Sequence, residues 1–365
     1  MIKSAKIRED TEKFKHCSIL PVNHKERDKW IEDRHALASK GYIGGSDTAS
    51  LLSIYSSPYE LMRKMRGQTP HFSGNAKTEV GNYLESLVAD KVSTMIGVDI
   101  VDSNCTYQSN EHPFMFANLD YEVDNGGGLD PADKEGFECK TTSSFNVIRQ
   151  LGENGSSDCP ISYQTQCQHY MAVTGMTGFY IAVLVILDQN VMQSIVDNLK
   201  AGVPPVGVLS KLSHYYRWYY IRRDDAFIDK LIETEGAFHE AFINGSEPID
   251  GSDITSDLLK DQYTNRTSDL VDPDAEDMVL LKEYWDLYNS AKEKEERIKQ
   301  IKNIWRSKIR DSSGMKGVVQ FSTTNKTKFD SKRFALEHPD LYQEYNEDSS
   351  YERMVIKKNK ETETE

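Results

Sequence analysis

Residues 114–142 read FMFANLDYEVDNGGGLDPADKEGFECKTT. Two strand-like stretches, Phe116–Val123 and Gly136–Thr141, flank the turn-forming DNGGG. Successive side chains of a strand alternate between its faces, so Glu138 and Lys140 project together while Cys139 points away. A hairpin across DNGGG brings Asp120 beside them. Two carboxylates and one amine on a sheet face are costly to bury without a partner. A divalent cation offsets that cost, and oxygen ligands favour magnesium, or manganese in its place, over zinc. Lys140 then stands where it could orient a water or stabilise charge at a scissile phosphate. Against this stands a plainer reading. An Asp followed at this distance by Glu-x-Lys recurs by chance, and Glu138 with Lys140 could be an ordinary surface pair of a strand.

Working outward, residues 77–97 are predicted as a helix of about five turns. Leu84, Leu87, Val88, Val92 and Met95 form its apolar stripe and Gly97 its stop signal. Glu85 falls at the buried edge of that stripe, where an acid needs a reason or is simply a helix-surface acid. Downstream, Pro160–Gly175 reads as a helix that carries Gln166, a neutral amide able to hold water or substrate without competing for a metal. The run FYIAVLVIL, Phe179–Leu187, reads as a buried strand. Residues 47–53, 58–66 and 224–243 read as helices, and 214–222 as an aromatic strand.

The remaining organisation follows from composition. Residues 1–28 are polar and read as an N-terminal arm, 29–243 as the main α/β domain, and 244–277 as an acidic linker rich in Gly, Ser, Asp and Pro. Residues 278–350 form a C-terminal helical extension and 351–365 a flexible tail. Inside the extension a long helix is predicted over 275–310, with Leu281, Tyr284, Tyr288, Ala291, Ile298, Ile301, Trp305 and Ile309 at steps of three and four and a charged gap at Glu295. A strand pair over 316–329 and a short helix follow.

The chain of 365 residues carries a net charge of −14, which argues against a general nucleic-acid binder, yet Lys299–Arg333 alone carries +8. The five cysteines form no CxxC pair and read as reduced thiols. No apolar run approaches the ~20 residues that span a bilayer. The N-terminus is charged from its third residue, without an apolar signal core, so a cytoplasmic protein that crosses no membrane is expected.

The ordered set IGGSDTASLL, SPYELMRKMRG, GNYLESLVADKV, HPFMFANLDYEV, FECKTT, YQTQCQHYMAVTG and FYIAVLV resembles the YqaJ-like viral recombinases. These are relatives of lambda exonuclease within the PD-(D/E)XK nuclease superfamily. The likeness spans about Trp30 to Leu187. It implies a restriction-endonuclease-like α/β core, with a mixed central sheet flanked by helices. It also implies that Asp120, Glu138 and Lys140 are the nuclease triad, with Glu85 as the helix acid, Gln166 as the glutamine of the following helix, and Arg34 and Ser46 as terminal-phosphate ligands. Asp120, Glu138 and Glu85 would hold Mg2+, or Mn2+ in its place. The implied activity is 5′-to-3′ digestion of linear double-stranded DNA, leaving 3′ tails for a single-strand annealing protein of the RecT type. The relatives imply a homo-oligomer, a ring among the options, in the host cytoplasm of a phage or prophage. A structure-selective or nicking endonuclease of the same fold, or a non-catalytic DNA-binding scaffold, are the rival readings. Two positions depart from the pattern: Leu119 stands where the superfamily name has Pro, and Tyr121 where many members have Gly.

Overall fold

The structure, a computed structural model, describes residues 13–20, 27–69, 75–103, 105–126, 128–188, 191–264, 270–324, 326–347 and 354–356. The chain divides into two compact units, Met1–Arg266 and Thr267–Glu365.

The first unit opens with β1 (Cys17–Leu20), α1 (Arg27–Ala38), β2 (Ile43–Gly44), a 3-10 turn (Gly45–Asp47), α2 (Thr48–Leu51), α3 (Pro58–Met65) and α4 (Ala76–Ile96). Then come β3 (Ile100–Asp102), β4 (Thr106–Ser109), β5 (Met115–Asn118), β6 (Tyr121–Val123) and β7 (Gly136–Thr142). The unit continues through α5 (Phe145–Ile148), α6 (Ile161–Thr174), β8 (Gly178–Ile186), α7 (Met192–Lys200), α8 (Pro205–Leu209), β9 (His214–Arg222), α9 (Asp225–Asn244) and α10 (Asp253–Gln262).

The main sheet has the order β3-β6-β7-β8-β9 and is mixed: β7 and β8 run parallel and the other pairs antiparallel. A second sheet, β1-β4-β5-β2, lies beside it. The apolar run of β8 is continuous because both faces of the strand are covered. Phe179, Ile181, Val183 and Val185 pack with Cys167, Met171 and Val173 of α6. Ala182, Leu184 and Ile186 pack with Val80, Leu84, Val88 and Val92 of α4 and with residues of α7 and α8. The result is a mixed α/β core with helices on both faces of the main sheet.

Helix α4 starts at Asn75, whose side chain accepts from the Thr78 N–H, and stops at Gly97 in a left-handed conformation. Its buried stripe includes Val80 in place of the expected Met95, which is half exposed.

Several expectations change. The predicted strand Phe116–Val123 is two strands: β5 pairs with β4 and β2 in the small sheet, and β6 pairs with β3 and β7 in the large one. The chain changes sheets at Leu119–Asp120. Within the expected arm, Cys17–Leu20 form the edge of the small sheet with Cys17 and Ile19 buried. Within the expected linker, α10 forms, and Gln262 at its end accepts from Tyr59 and Arg63 of α3. The remaining arm residues 1–12 and 21–26, and most of the tail, lie outside the described residues.

The second unit is dominated by α11 (Ala275–Ile309), followed by the two-residue strands β10 (Gly314–Met315) and β11 (Val319–Gln320), then α12 (Ser331–Glu337) and α13 (Pro339–Glu344). The expected strand pair over 316–329 is thus shorter and begins earlier. Among the described residues, no helix is long and apolar enough to cross a membrane.

Candidate active site

The pairing of β7 with β8 sets Glu138 opposite Ile181 and Lys140 opposite Val183, both on the α6 face, while Cys139 lies opposite Ala182 and faces α4. Alternation along the strand therefore delivers the acid and the amine to one place. Lys140 Nζ donates to Glu138 Oε1 at 2.7 Å and to Gln166 Oε1 at 2.8 Å. Gln166 Nε2 in turn donates to Glu138 Oε1 at 2.8 Å and to the Tyr170 hydroxyl at 2.7 Å. Asp120, at the sheet-to-sheet break, accepts from the Cys139 N–H at 2.8 Å through Oδ2. Because β6 leaves its partner β7 at this point, the Asp120 carboxylate reaches beyond the ladder toward Glu138.

Charge is concentrated here. Burial, then Glu138 and Glu85, hold the Asp120 carboxyl well above its ordinary pKa, with Lys140 and the Cys139 N–H pulling the other way. Burial disfavours the Lys140 charge, but Glu138 and Asp120 beside it prevail and raise its pKa. Glu85 faces the same group from α4. The Tyr163 ring lies 5.6 Å below the Lys140 ammonium and adds a cation–π contact.

One atom breaks the pattern of satisfied groups. Glu138 is 3% exposed, and its Oε2 has no hydrogen-bond partner. A buried carboxylate oxygen without a donor costs on the order of 1–3 kcal/mol. Such an oxygen is suited to a cation. Among the described residues, no three His, Cys, Asp or Glu side chains gather closely enough to hold a metal ion by themselves. An open set of one or two carboxylates, completed by water and substrate phosphate, is how magnesium is ordinarily held. The oxygen-only donors and the orphaned Oε2 fit that ion.

Asp120, Glu138, Gln166 and Glu85 line one cleft of about 350 Å³, and Arg34 and Ser46 line its other wall. Arg34 Nη2 donates to Ser46 Oγ, and Trp30 lies 5.7 Å from the Arg34 guanidinium. Ser46 is exposed at the 3-10 turn after β2, which packs close: a Cβ on Gly45 would stand 2.4 Å from the Tyr170 ring. Every residue singled out from the sequence therefore meets at this cleft, Lys140 through its bonds to Glu138 and Gln166. Tyr170 is not among the residues singled out from the sequence. Its spacing of four from Gln166, which sets both on one helix face, was the available signal. Asn82, three residues before Glu85, also lines the cleft unforeseen.

A mixed sheet that gathers Asp120 from the β5–β6 break with Glu138 and Lys140 of β7, backed by an acid and a glutamine from flanking helices, is the arrangement that the resemblance to the PD-(D/E)XK fold implies. Residues 29–177 match the YqaJ-like viral recombinase domain. The YqaJ protein of Bacillus subtilis (strain 168) is 26% identical over 355 residues, 94% of this chain and 98% of that protein. Among solved structures, the alkaline exonuclease LHK-Exo from Laribacter hongkongensis aligns with a TM-score of 0.40 at 17% identity, covering 64% of this chain and 98% of that one. A phage related exonuclease from Haemophilus somnus 129PT aligns with a TM-score of 0.39 at 14% identity, covering 56% of this chain and 96% of that one.

Proposed function

We propose that residues 29–243 form a magnesium-dependent nuclease that digests linear double-stranded DNA from 5′ ends and leaves 3′ single-stranded tails. The observation that carries this reading is the partnerless, buried Glu138 Oε2 beside Asp120 and Lys140 in an open cleft. Asp120 and Glu138 would hold the divalent ion, with Glu85 completing or supporting the set. Bound there, the ion supplies Lewis-acid activation of water and charge neutralisation at the scissile phosphate. Lys140, kept protonated by its two acidic neighbours, orients the attacking water and donates to phosphate oxygen. Gln166 holds Lys140 and Glu138 in register by bonding both.

The end preference rests on the second wall. A guanidinium and a hydroxyl joined at a turn match the oxygens of a terminal phosphate. Arg34 and Ser46 would seat the 5′-phosphate while the next phosphodiester lies at Asp120 and Glu138. The tailed product suits an annealing protein of the RecT type as downstream partner, and a ring of several copies would keep an acidic chain on its DNA.

The test is time-resolved digestion of end-labelled linear duplex, with covalently closed plasmid as the control. Magnesium-dependent shortening from the 5′ end, spared in the closed circle, is the expected result. Zinc should substitute poorly. Glu138→Gln should abolish cleavage while duplex binding persists, and Ser46→Ala or Arg34→Ala should hurt 5′-phosphorylated ends more than 5′-hydroxyl ends. Cleavage by Glu138→Gln at the parental rate would remove the site. Nicking of closed circles would convert the reading to an endonuclease. Equal losses on both kinds of end would remove the phosphate role.

A further inference from the structure

Helix α11 has 35 residues, which at about 1.5 Å per residue is a rod of roughly 52 Å. All but six of its side chains are exposed. They include large apolar ones: Tyr284 is 40% exposed, Tyr288 and Ile298 50%, and Leu287 63%. Isolated helices are marginal in water, and most helical stability comes from covering an apolar face. The stripe at Leu281, Tyr284, Tyr288, Ala291, Ile298 and Trp305 has the spacing of a coiled-coil seam.

The charges divide the same helix in two. Residues 275–296 hold seven acids and three bases, and residues 297–309 hold five bases and no acid. Duplex DNA would attract the second half and repel the first, and phosphates would leave the apolar stripe uncovered. A partner helix must therefore be apolar along one face, basic where α11 begins and acidic where it ends. A second copy of α11 laid antiparallel has those properties. A parallel copy would set acid on acid and base on base.

We propose that α11 is the association surface for a second copy of this chain, paired antiparallel about a two-fold axis near Glu293. With the ends matched, Leu281 meets the second copy's Trp305, and Tyr288 meets its Ile298. Glu295, the charged gap in the seam, falls opposite Ala291 rather than opposite itself, so the carboxylate can reach water beside a small side chain. Lys302 falls opposite Tyr284, whose ring face attracts a cation. Glu276, Glu283 and Asp286 lie against the stretch Lys299–Arg310. The contact is isologous, so each pairing occurs twice.

The test uses the full chain without DNA, by sedimentation equilibrium at micromolar concentration. Combined Lys299→Glu, Lys302→Glu and Arg306→Glu makes both halves acidic and should weaken association by about tenfold or more. Adding Glu276→Lys, Glu283→Lys and Asp286→Lys to that chain reverses the sign of both halves and should bring the mass back toward the parental value. A triple variant that merely misfolded would not be rescued this way. Parallel pairing predicts tighter association in both variants, because the repulsion of the basic halves, +5 on +5, falls to −1 on −1. A monomeric parent, or one mass shared by all three chains, overturns the proposal. Loss of DNA affinity in the triple variant with an unchanged mass also overturns it and assigns the basic half to phosphates.

Discussion

Gln166 and His169 sit three residues apart on α6, each at the centre of a buried polar network. Around His169 the network closes. Its Nε2 donates to the Phe116 carbonyl at 2.9 Å, and its Nδ1 lies 2.9 Å from Glu235 Oε1, with both side chains fully buried. Since the carbonyl fixes the Nε2 proton, one further proton is shared between Nδ1 and the Glu235 carboxylate. That set ties α6 to β5 and α9, and neither His169 nor Glu235 lines the cleft. Around Gln166 the network stays open: Glu138 keeps one oxygen without a donor, and Asp120 is crowded by acids. A complete network is an asset to the fold. An incomplete one is a cost retained at a site for something the chain itself lacks.

If that contrast holds, damage to the two networks should have opposite consequences. Asp120→Asn keeps the acceptor for the Cys139 N–H but removes a charge opposed by burial, Glu138 and Glu85. Cleavage should fall by at least about a hundredfold, while the melting temperature holds or rises by about 2–4 °C. Activity near parental would end the assignment. Glu235→Ala should do the reverse. It leaves His169 buried without its carboxylate and should cost about 3–5 kcal/mol of stability. Below the melting transition, the turnover of the folded fraction should stay at the parental value. Loss of turnover in the cold would mean that the closed network also serves the site.

Titration sharpens the same contrast. Burial lowers the His169 pKa, but Glu235 prevails and raises it above 6.5. A raised folded-state value means stability that is full below pH 6.5 and is lost as pH climbs through the folded value. Burial raises the Glu235 value as well, against the pull of His169, and acts in the same sense from 4.5 upward. The slope above pH 6.5 should vanish in His169→Gln. Asp120 also titrates from a raised value, so without metal the fold loses stability as pH rises from 3.8 through the folded pKa. Magnesium competes with that proton. The rise in melting temperature on adding magnesium should therefore grow with pH across this window. At a hundredfold excess over Kd the added stability behind that rise reaches about 2.7 kcal/mol. It should be absent in Asp120→Asn. A shift independent of pH would place the ion elsewhere.

How far these networks were legible in the sequence differs by residue. Strand alternation placed Glu138 and Lys140 on one face, and helical periodicity put Glu85 at the edge of the α4 stripe. Both are local rules that need no knowledge of the partner. The sheet change at Leu119–Asp120 is not local. β5 and β6 share one apolar pattern, and only their neighbours, β4 and β2 against β3 and β7, separate them. Cys17–Leu20 is too short for its alternation to stand out from a polar arm. The Glu235 partner of His169 lies 66 residues away across the fold, and nothing in either segment announces the pair.

The smallest expected effect lies at Tyr170, where the open network meets the Arg34–Ser46 wall. Its hydroxyl accepts from Gln166, and its ring fills the space against Gly45 that a side chain there would need. Tyr170→Phe keeps the ring and removes the acceptor, so Gln166 loses one of its anchors while the turn bearing Ser46 stays in place. A neutral hydrogen bond of this kind is worth about 1 kcal/mol, so kcat should fall about fivefold with KM for duplex ends unchanged. Gly45→Ala forces the ring to move and displaces the Ser46 turn, so KM for 5′-phosphorylated ends should rise along with any loss in kcat. If Tyr170→Phe raises KM as Gly45→Ala does, the two walls of the cleft are not separable, and Tyr170 serves the phosphate end rather than the glutamine.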